Sequence, residues 1–506
     1  MKNKLSRRQF LRSGALATAS AAVSLGFLGC SRTLIQKVPG FRPEPPPPFQ
    51  FLPSANRLLD LPEGFTAHAF SRTGEQMDDG LWVPGGHDGM AAFPGPNGKT
   101  ILVRNHELVA TAKNVGPFGW NNEKIERAAI DKFYDAGSGE LPCLGGTTTL
   151  VYDTRTKTLE KHFLSLIGTI RNCAGGLTPW NTWITCEETM QKSEKENTYE
   201  ANHGYNFEVP ASADIGLADP IPLKAMGRFN HEAVAVDPKT GIVYETEDRG
   251  DSLIYRFIPD QPGELAAGGK LQALKIRDLK AADTRNWRSR NQKIFWWTYN
   301  PIPVGETLAV EWVDIENVES PYDELRYQGA DDKDAAKFAR GEGIWYGDNQ
   351  GTGEFYIACT NGGIAYKGQI WRYIPSPYEG TSREEQEPGT IELFIEPNDS
   401  NLMENADNLT VTPWGDLIIC EDGPNEEFLI GVTPEGNLYR FARNAGNLSE
   451  LAGATFSPDG TTLFVNIQSP GITLAITGPW HQIRQRSEVL WSKSHGPAST
   501  HPSLSG

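Results

Sequence analysis

The chain of 506 residues lacks the short signatures of several large enzyme classes. It has no Gly-x-Ser-x-Gly nucleophile elbow, no His-Glu-x-x-His zinc helix and no Gly-x-x-x-x-Gly-Lys-Ser/Thr phosphate loop. Basic charge is in short supply: 47 Lys and Arg stand against 64 Asp and Glu, a formal net charge of −17. The aromatic residues are not interleaved with basic clusters, which argues against nucleic-acid binding. Past Leu28 no apolar run approaches the roughly 18 residues of a spanning helix. Cysteine is sparse as well. Beyond Cys30 there are only Cys143, Cys173, Cys186, Cys359 and Cys420, an odd set that cannot pair completely, so at least one thiol is free, buried or metal-bound. Cys186, Cys359 and Cys420 fall in apolar strand runs and read as core.

What the chain does have is repetition. Arg228 to Gly250, RFNHEAVAVDPKTGIVYETEDRG, reads as strand, turn, strand, with Pro and Gly chemistry in the turn and acids closing the second strand. The same grammar returns at 88–107, 173–188, 341–361, 406–423 and 452–468. Repeated hairpins in a Gly- and Pro-rich chain predict an all-β fold, a six-bladed β-propeller with large loop insertions and a few short helices. Residues 60–490 shared among six blades give roughly 70 residues each, well above the roughly 40 to 45 of a minimal blade, so the insertions are required.

The turn proline serves as a ruler. Six residues before Pro94, Pro179, Pro238, Pro413 and Pro458 stand Asp88, Cys173, Glu232, Asp407 and Ala452, and Glu342 holds the corresponding place in the remaining copy. If this position begins each innermost strand, carboxylates and one thiolate converge on one mouth of the channel, where they repel unless cations sit between them. Acids at the second-strand ends, Glu107, Glu187, Glu188, Glu245, Glu247, Asp248, Glu421 and Asp422, either supplement this ring or are solvated turn residues. Hard oxygen ligands at this density suit Ca²⁺, and a thiolate among carboxylates suits a transition metal such as iron. Arg340, read as closing a short helix over 331–340, either forms a fork for a tetrahedral oxyanion or satisfies helix-end carbonyls. Asn172, Asn230, Asn405 and Asn408 are candidate neutral ligands or turn residues. His106 and His231, in a repeated Asn-His-Glu triplet, are open between site and core.

Four segments are expected. Residues 1–30 read as a twin-arginine export signal, with Ser6-Arg7-Arg8-Gln9-Phe10-Leu11 followed by an apolar stretch and a lipoprotein-like Gly29-Cys30. Its removal takes five cations and moves the charge from −17 to −22, a surface that favours divalent cations. Residues 31–58 form a proline-rich tether, 59–490 the propeller and 491–506 a tail. Within the propeller, Glu123 to Tyr134 has helical spacing, 260–330 looks like a lid or blade decoration, and the chain from His481 onward is expected to supply a closing strand.

The motifs RNHE (104–107), RNCAGGLTPWNTWITCEE (171–188), RFNHEAV (228–234), ARGEG (339–343) and ENADNL (404–409), behind a twin-arginine signal, resemble the PhoX-type alkaline phosphatases over nearly all of the exported chain. The resemblance implies a six-bladed propeller that hydrolyses phosphate monoesters with iron (two Fe³⁺) and several Ca²⁺ ions at the channel mouth. It also implies iron-ligand positions at Cys173, Glu232 and Glu342, a further, calcium-type ligand at Glu188, a phosphate-contacting Arg340, and metal-proximal roles for Asn105, Glu107, Asp407 and Asn408. Arg340 and Glu342 are the catalytic candidates, with Arg340 and Asn105 as substrate contacts. Expected partners are phosphate monoesters and the twin-arginine machinery, with a lipid anchor through Cys30 and a monomeric, periplasmic, tethered or secreted protein. Two rivals stand beside this reading: a calcium-dependent propeller hydrolase such as a lactonase, and a non-catalytic calcium-stabilised surface propeller.

Overall fold

Each of the six repeated stretches folds as an antiparallel pair. The inner strands are His87–Pro94, Asn172–Leu177, His231–Val236, Gly341–Gly347, Ala406–Val411 and Leu451–Phe456; each pairs with the strand that follows it. The turns show why. In the 237–241 turn, Asp237 accepts from the Lys239 N–H at 3.0 Å and from the Thr240 hydroxyl at 2.7 Å, an Asx-type closure. The computed structural model describes residues 49–193, 199–287, 300–320, 322–348 and 351–485. The segment expected to be a twin-arginine signal, Cys30, most of the expected tether and the expected C-terminal tail lie outside the described residues.

The arrangement is all-β and propeller-like, with few and short helices. Successive inner strands pack against one another, and Leu451–Phe456 returns to His87–Pro94, closing a ring. Among the described residues, hydrogen bonding divides the strands into five sheets rather than six, of four, three, nine, six and four strands. The nine-stranded sheet arises because Thr307–Asp314, within the stretch expected to be a lid, pairs with Gly269–Ile276 on one side and Thr390–Ile395 on the other. The apolar core lies between neighbouring sheets, as where Tyr244, Ile254 and Leu274 meet Phe355, Ile357 and Trp371.

Closure comes from the N-terminal side. Thr66–Arg72 pairs with Ile472–Thr477 and occupies the edge expected for the chain beyond His481. Residues 480–485 are instead helical, and Trp480 packs edge-on to Phe65 at 4.8 Å. The folded region also begins earlier than the composition suggests, since Phe51–Pro53 pairs with Leu59–Pro62. The helix expected over 331–340 lies further back, as a turn at Leu325–Tyr327 continuing into Gln328–Asp332. Beyond it Asp334 and Arg340 adopt φ of +60° and +55°, which no right-handed helix accommodates. Glu123 to Tyr134 contains two single 3-10 turns, Ile125–Arg127 and Ile130–Lys132.

Candidate metal centre

A register shift marks every inner hairpin. In five of them the shift falls between the residue before the ring position and the one two beyond it, as between His87 and Met90 or His231 and Val234; in the sixth it falls between Ala452 and Thr455. Such bulges re-aim a side chain out of the regular pleat. Asp88, Cys173, Glu232, Glu342 and Asp407 each stand in one. The next layer holds Gly89, Ala174, Ala233, Gly343, Asn408 and Gly453 around a cavity of about 20 Å³, so the axis beneath the ring is nearly filled. At Gly89 a Cβ would lie 2.6 Å from the Ala174 Cα, a contact only glycine avoids.

A second regularity builds the mouth. The backbone N–H groups of Glu107, Glu188, Asp248, Thr360, Asp422 and Gln468, which end or follow the second strands, donate to the carbonyls of Gly86, Arg171, Asn230, Arg340, Asn405 and Glu450, which stand two residues before the ring. Three tiers of six positions result, and half of the eighteen positions hold acids. Pleating decides which strand-end acids belong. Glu188, Asp248 and Asp422 face the mouth. Their neighbours Glu187, Glu247 and Glu421, with Glu245, point back into the sheets, where Glu187 accepts from the Gly204 N–H and Glu421 from the Glu404 N–H.

Overlapping donor sets lie around the mouth. Cys173, Glu188 and Glu232 bring one ligand atom each within 4.8 Å of one another; so do Glu232, Glu342 and Asp407, and again Asp407, Asp422 and Glu450. Glu232 is shared by the first two sets and Asp407 by the last two. Among the described residues, both buried carboxylate oxygens of Glu232 lack a hydrogen-bond partner, as does the Asp88 Oδ1, a costly state for polar atoms unless another group completes them. Burial pushes Glu232 well above the usual carboxylate range, with Glu342 and Glu188 adding to it. Asp407 rises to about 7 through burial and Asp422, and Glu188 to about 7. The Cys173 thiol is raised by burial and by Asp88. Burial is the first cause of each of these shifts and neighbouring acids add to it; bound cations would favour the charged forms.

Two arginines enter this acidic mouth from equivalent positions. Arg340 donates to Asp248 through Nε at 2.6 Å and Nη2 at 2.9 Å, and its Nη2 lies 2.8 Å from Glu342 Oε1. Arg171 lies 3.1 Å from Glu107 and pairs closely with Glu188. Both adopt left-handed backbone, φ +50° for Arg171 and +55° for Arg340, so the same local geometry presents both side chains.

Other expected site residues fall elsewhere. Asn105 is fully buried. Its Nδ2 donates to the carbonyls of Cys173 and Ala174 at 3.1 and 2.7 Å, and its Oδ1 accepts from Trp183 Nε1 and the Thr185 hydroxyl, each at 2.8 Å. Its hydrogen bonds are therefore spent beneath the site, and it braces the Cys173 bulge rather than reaching substrate. Asn408 sits one layer below Asp407 and accepts from the Gly453 N–H at 2.8 Å. Glu107 reaches the mouth, where Gln468 bridges it to Asp88 at 3.0 and 3.2 Å. His106 and His231 are structural, bonded to the Gly85 and Gly227 carbonyls at 2.8 and 3.0 Å. Sequence reasoning overlooked the part played by Arg171 and the positions of Glu450 and Gln468; counting two residues back from the ring finds Arg171 and Glu450, and Gln468 ends the sixth hairpin.

A solved structure of Pseudomonas fluorescens PhoX in complex with vanadate, a transition state analogue, matches with a TM-score of 0.59 and 17% identity, covering 85% of this chain and 97% of that one. A gluconolactonase from Xanthomonas campestris covers 86% of this chain and 99% of its own at 10% identity and a TM-score of 0.38. A Dyadobacter fermentans protein of unknown function covers 82% and 100% at 8% identity and a TM-score of 0.42. Comparison with curated proteins gave no match. The family model described as alkaline phosphatase PhoX matches residues 49–471, so most of the chain is accounted for, and it belongs to the PhoX alkaline phosphatase family.

Proposed function

We propose that this alkaline phosphatase hydrolyses phosphate monoesters outside the cytoplasm, at a cluster of metal ions held in the mouth of a six-bladed propeller. The six inner hairpins and their sixfold repeated backbone hydrogen bond support that blade count. The nine-stranded sheet is then two blades joined edge to edge through Thr307–Asp314.

The observation that carries the metal reading is Glu232, whose two unpartnered oxygens stand between two donor sets. A carboxylate placed in that way would serve as a ligand to an ion held by either set. Cys173, Glu232 and Glu342 would hold iron, the thiol being the soft donor that calcium has no use for. Glu188, Asp407, Asp422 and Glu450 supply hard oxygen donors of the kind calcium takes. When bound, such ions supply Lewis-acid charge for the phosphoryl oxygens and activate the attacking water.

The chain's own residues do the rest. Asp248 holds the Arg340 guanidinium in a two-point grip beside Glu342, leaving its remaining N–H groups for an oxyanion. Arg171 offers a second cation from its equivalent position, and the two counter charge that develops on the phosphoryl group. Asn105 fixes the Cys173 backbone, which preorganises the donor set. The twin-arginine segment and Cys30 support export, with a lipid anchor or a proline-rich tether holding a monomeric enzyme near a membrane.

The test is release of phosphate from p-nitrophenyl phosphate at alkaline pH by purified protein, its loss in EDTA, and iron and calcium by elemental analysis. Full activity in protein stripped of both metals would refute the metal reading.

A further inference from the structure

A second donor cluster lies outside the channel mouth. Asp135, Cys143 and His203 are each at most 1% exposed, and one ligand atom from each lies within 4.8 Å of the others. The His203 Nε2 is 3.3 Å from Asp135 Oδ2 and 3.9 Å from the Cys143 Sγ. These are close to the edges of a tetrahedron about an ion with N and O ligands at about 2.1 Å and S at about 2.3 Å, which are about 3.4 and 3.6 Å.

The surroundings point the same way. His203 Nδ1 is held by Glu187 Oε1 at 2.6 Å, the carboxylate contact that orients a metal-ligating imidazole through its other nitrogen. Glu187 is itself fixed by the Gly204 and Ile170 N–H groups at 2.8 and 3.0 Å. Asp135 is fixed by the Gly137, Glu200 and Ala201 N–H groups at 2.8, 2.7 and 3.0 Å. Carboxylates stand on both ring nitrogens of His203, Asp135 on Nε2 and Glu187 on Nδ1, so the pocket is built around positive charge. The Tyr134 and Tyr199 rings close over the imidazole, each 5.3 Å away.

We infer that Asp135, Cys143 and His203 form a structural site for one divalent transition cation of zinc type. Binding displaces the Cys143 thiol proton and the proton on His203 Nε2, both to solvent, and leaves the Nδ1–H on Glu187. The ion joins the loop before Gly145–Asp153 to the loop before Asn206–Pro210. Through Glu187 and the Ile170 N–H it also braces the backbone that presents Arg171. A borderline-soft cation fits a thiolate, imidazole and carboxylate set, whereas calcium does not.

The inference is independent of the iron and calcium reading and is tested separately. Protein dialysed against zinc chloride is expected to retain one zinc per chain, lost in Cys143→Ser while iron content stays unchanged. Cobalt chloride added to Cys173→Ala protein should give a thiolate-to-cobalt charge-transfer band, displaced by one equivalent of zinc and missing when Cys143→Ser is added. Equal zinc in wild type and Cys143→Ser overturns the proposal. So does a cobalt complex without the thiolate band, which would leave His203 as an imidazolium clamped between two carboxylates.

Discussion

Stripping the metals should give the protein a stability that falls as pH rises, in a window where the loaded protein shows no such fall. Asp407 ordinarily titrates near 3.8 and is pushed up to about 7 by burial and then by Asp422. Between those values the metal-free native state binds a proton that the unfolded chain has released. Stability therefore declines by about 1.4 kcal/mol per pH unit, and by about 4 kcal/mol over the whole window. That is a large part of the roughly 5 to 15 kcal/mol of a typical domain. Glu188, moved from 4.5 to about 7, acts in the same sense, but neighbouring carboxyls share protons, so the two effects do not simply add. His203, raised to about 12, adds its own loss only above about pH 6.5. The informative range is therefore pH 5 to 6.5, where one such carboxyl contributes about 2 kcal/mol. The assay is urea unfolding followed by circular dichroism, in EDTA and with iron and calcium restored. A metal-free protein whose stability is flat or rises over that range would refute the crowded-carboxylate account.

Cys173→Ala should lose most of the iron while keeping calcium, and elemental analysis showing normal iron would remove the thiol from the donor set. Arg340→Ala should lower kcat for p-nitrophenyl phosphate by about 10²- to 10³-fold, as for loss of one preorganised donor, with metal content unchanged; Arg340→Lys should restore only part of it, because the fork is lost. Asn105→Ala should destabilise the fold by about 1 to 3 kcal/mol for each buried group left unpaired and weaken iron retention, with KM little changed. Arg256→Ala removes the guanidinium that donates to buried Glu379 at 2.5 Å and leaves that carboxylate with Tyr244, Tyr373 and the Ser376 N–H alone, so chemical denaturation should show a loss of about 3 kcal/mol with activity per folded molecule preserved.

The repeat was legible because period-two strands and Pro-Gly turns are local signals. The proline ruler found the ring for the same reason, since the turn fixes the distance to the bulge in each hairpin. What local pattern could not show was which of two adjacent acids faces the mouth. Glu187 and Glu188 look alike in sequence, and the pleat sends the first to His203 and the second to Arg171. Asn105 was misread for a related reason: Glu107, two residues on, reaches the mouth, but the Asn105 side chain is claimed by Cys173 and Trp183 from the next hairpin. Edge-to-edge joining at Thr307–Asp314 and closure by Thr66–Arg72 are long-range pairings with no local signature. The expected helix over 331–340 failed because buried Ala335, Ala336, Phe338 and Ala339 pack between sheets, and tertiary packing overrode a weak helical pattern.

Sixfold backbone regularity and chemical asymmetry together explain how a repeat becomes a site. The tiers carry Asp88, Glu107, Glu188, Glu232, Asp248, Glu342, Asp407, Asp422 and Glu450, nine carboxylates, against the two guanidiniums of Arg171 and Arg340. Fully ionised, they leave a surplus of seven negative charges in a mouth where several of them are buried. One divalent ion would leave five of those charges uncompensated, and the chain avoids them otherwise only by taking up protons. The sixth hairpin sharpens the point: its ring position is Ala452, and the acid appears two residues earlier, as Glu450, where it completes a donor set with Asp407 and Asp422. An arriving phosphate ester brings further negative charge to this mouth. On the proposed function it would be held only where cations have already reversed the local field, so metal loading would precede substrate binding rather than accompany it.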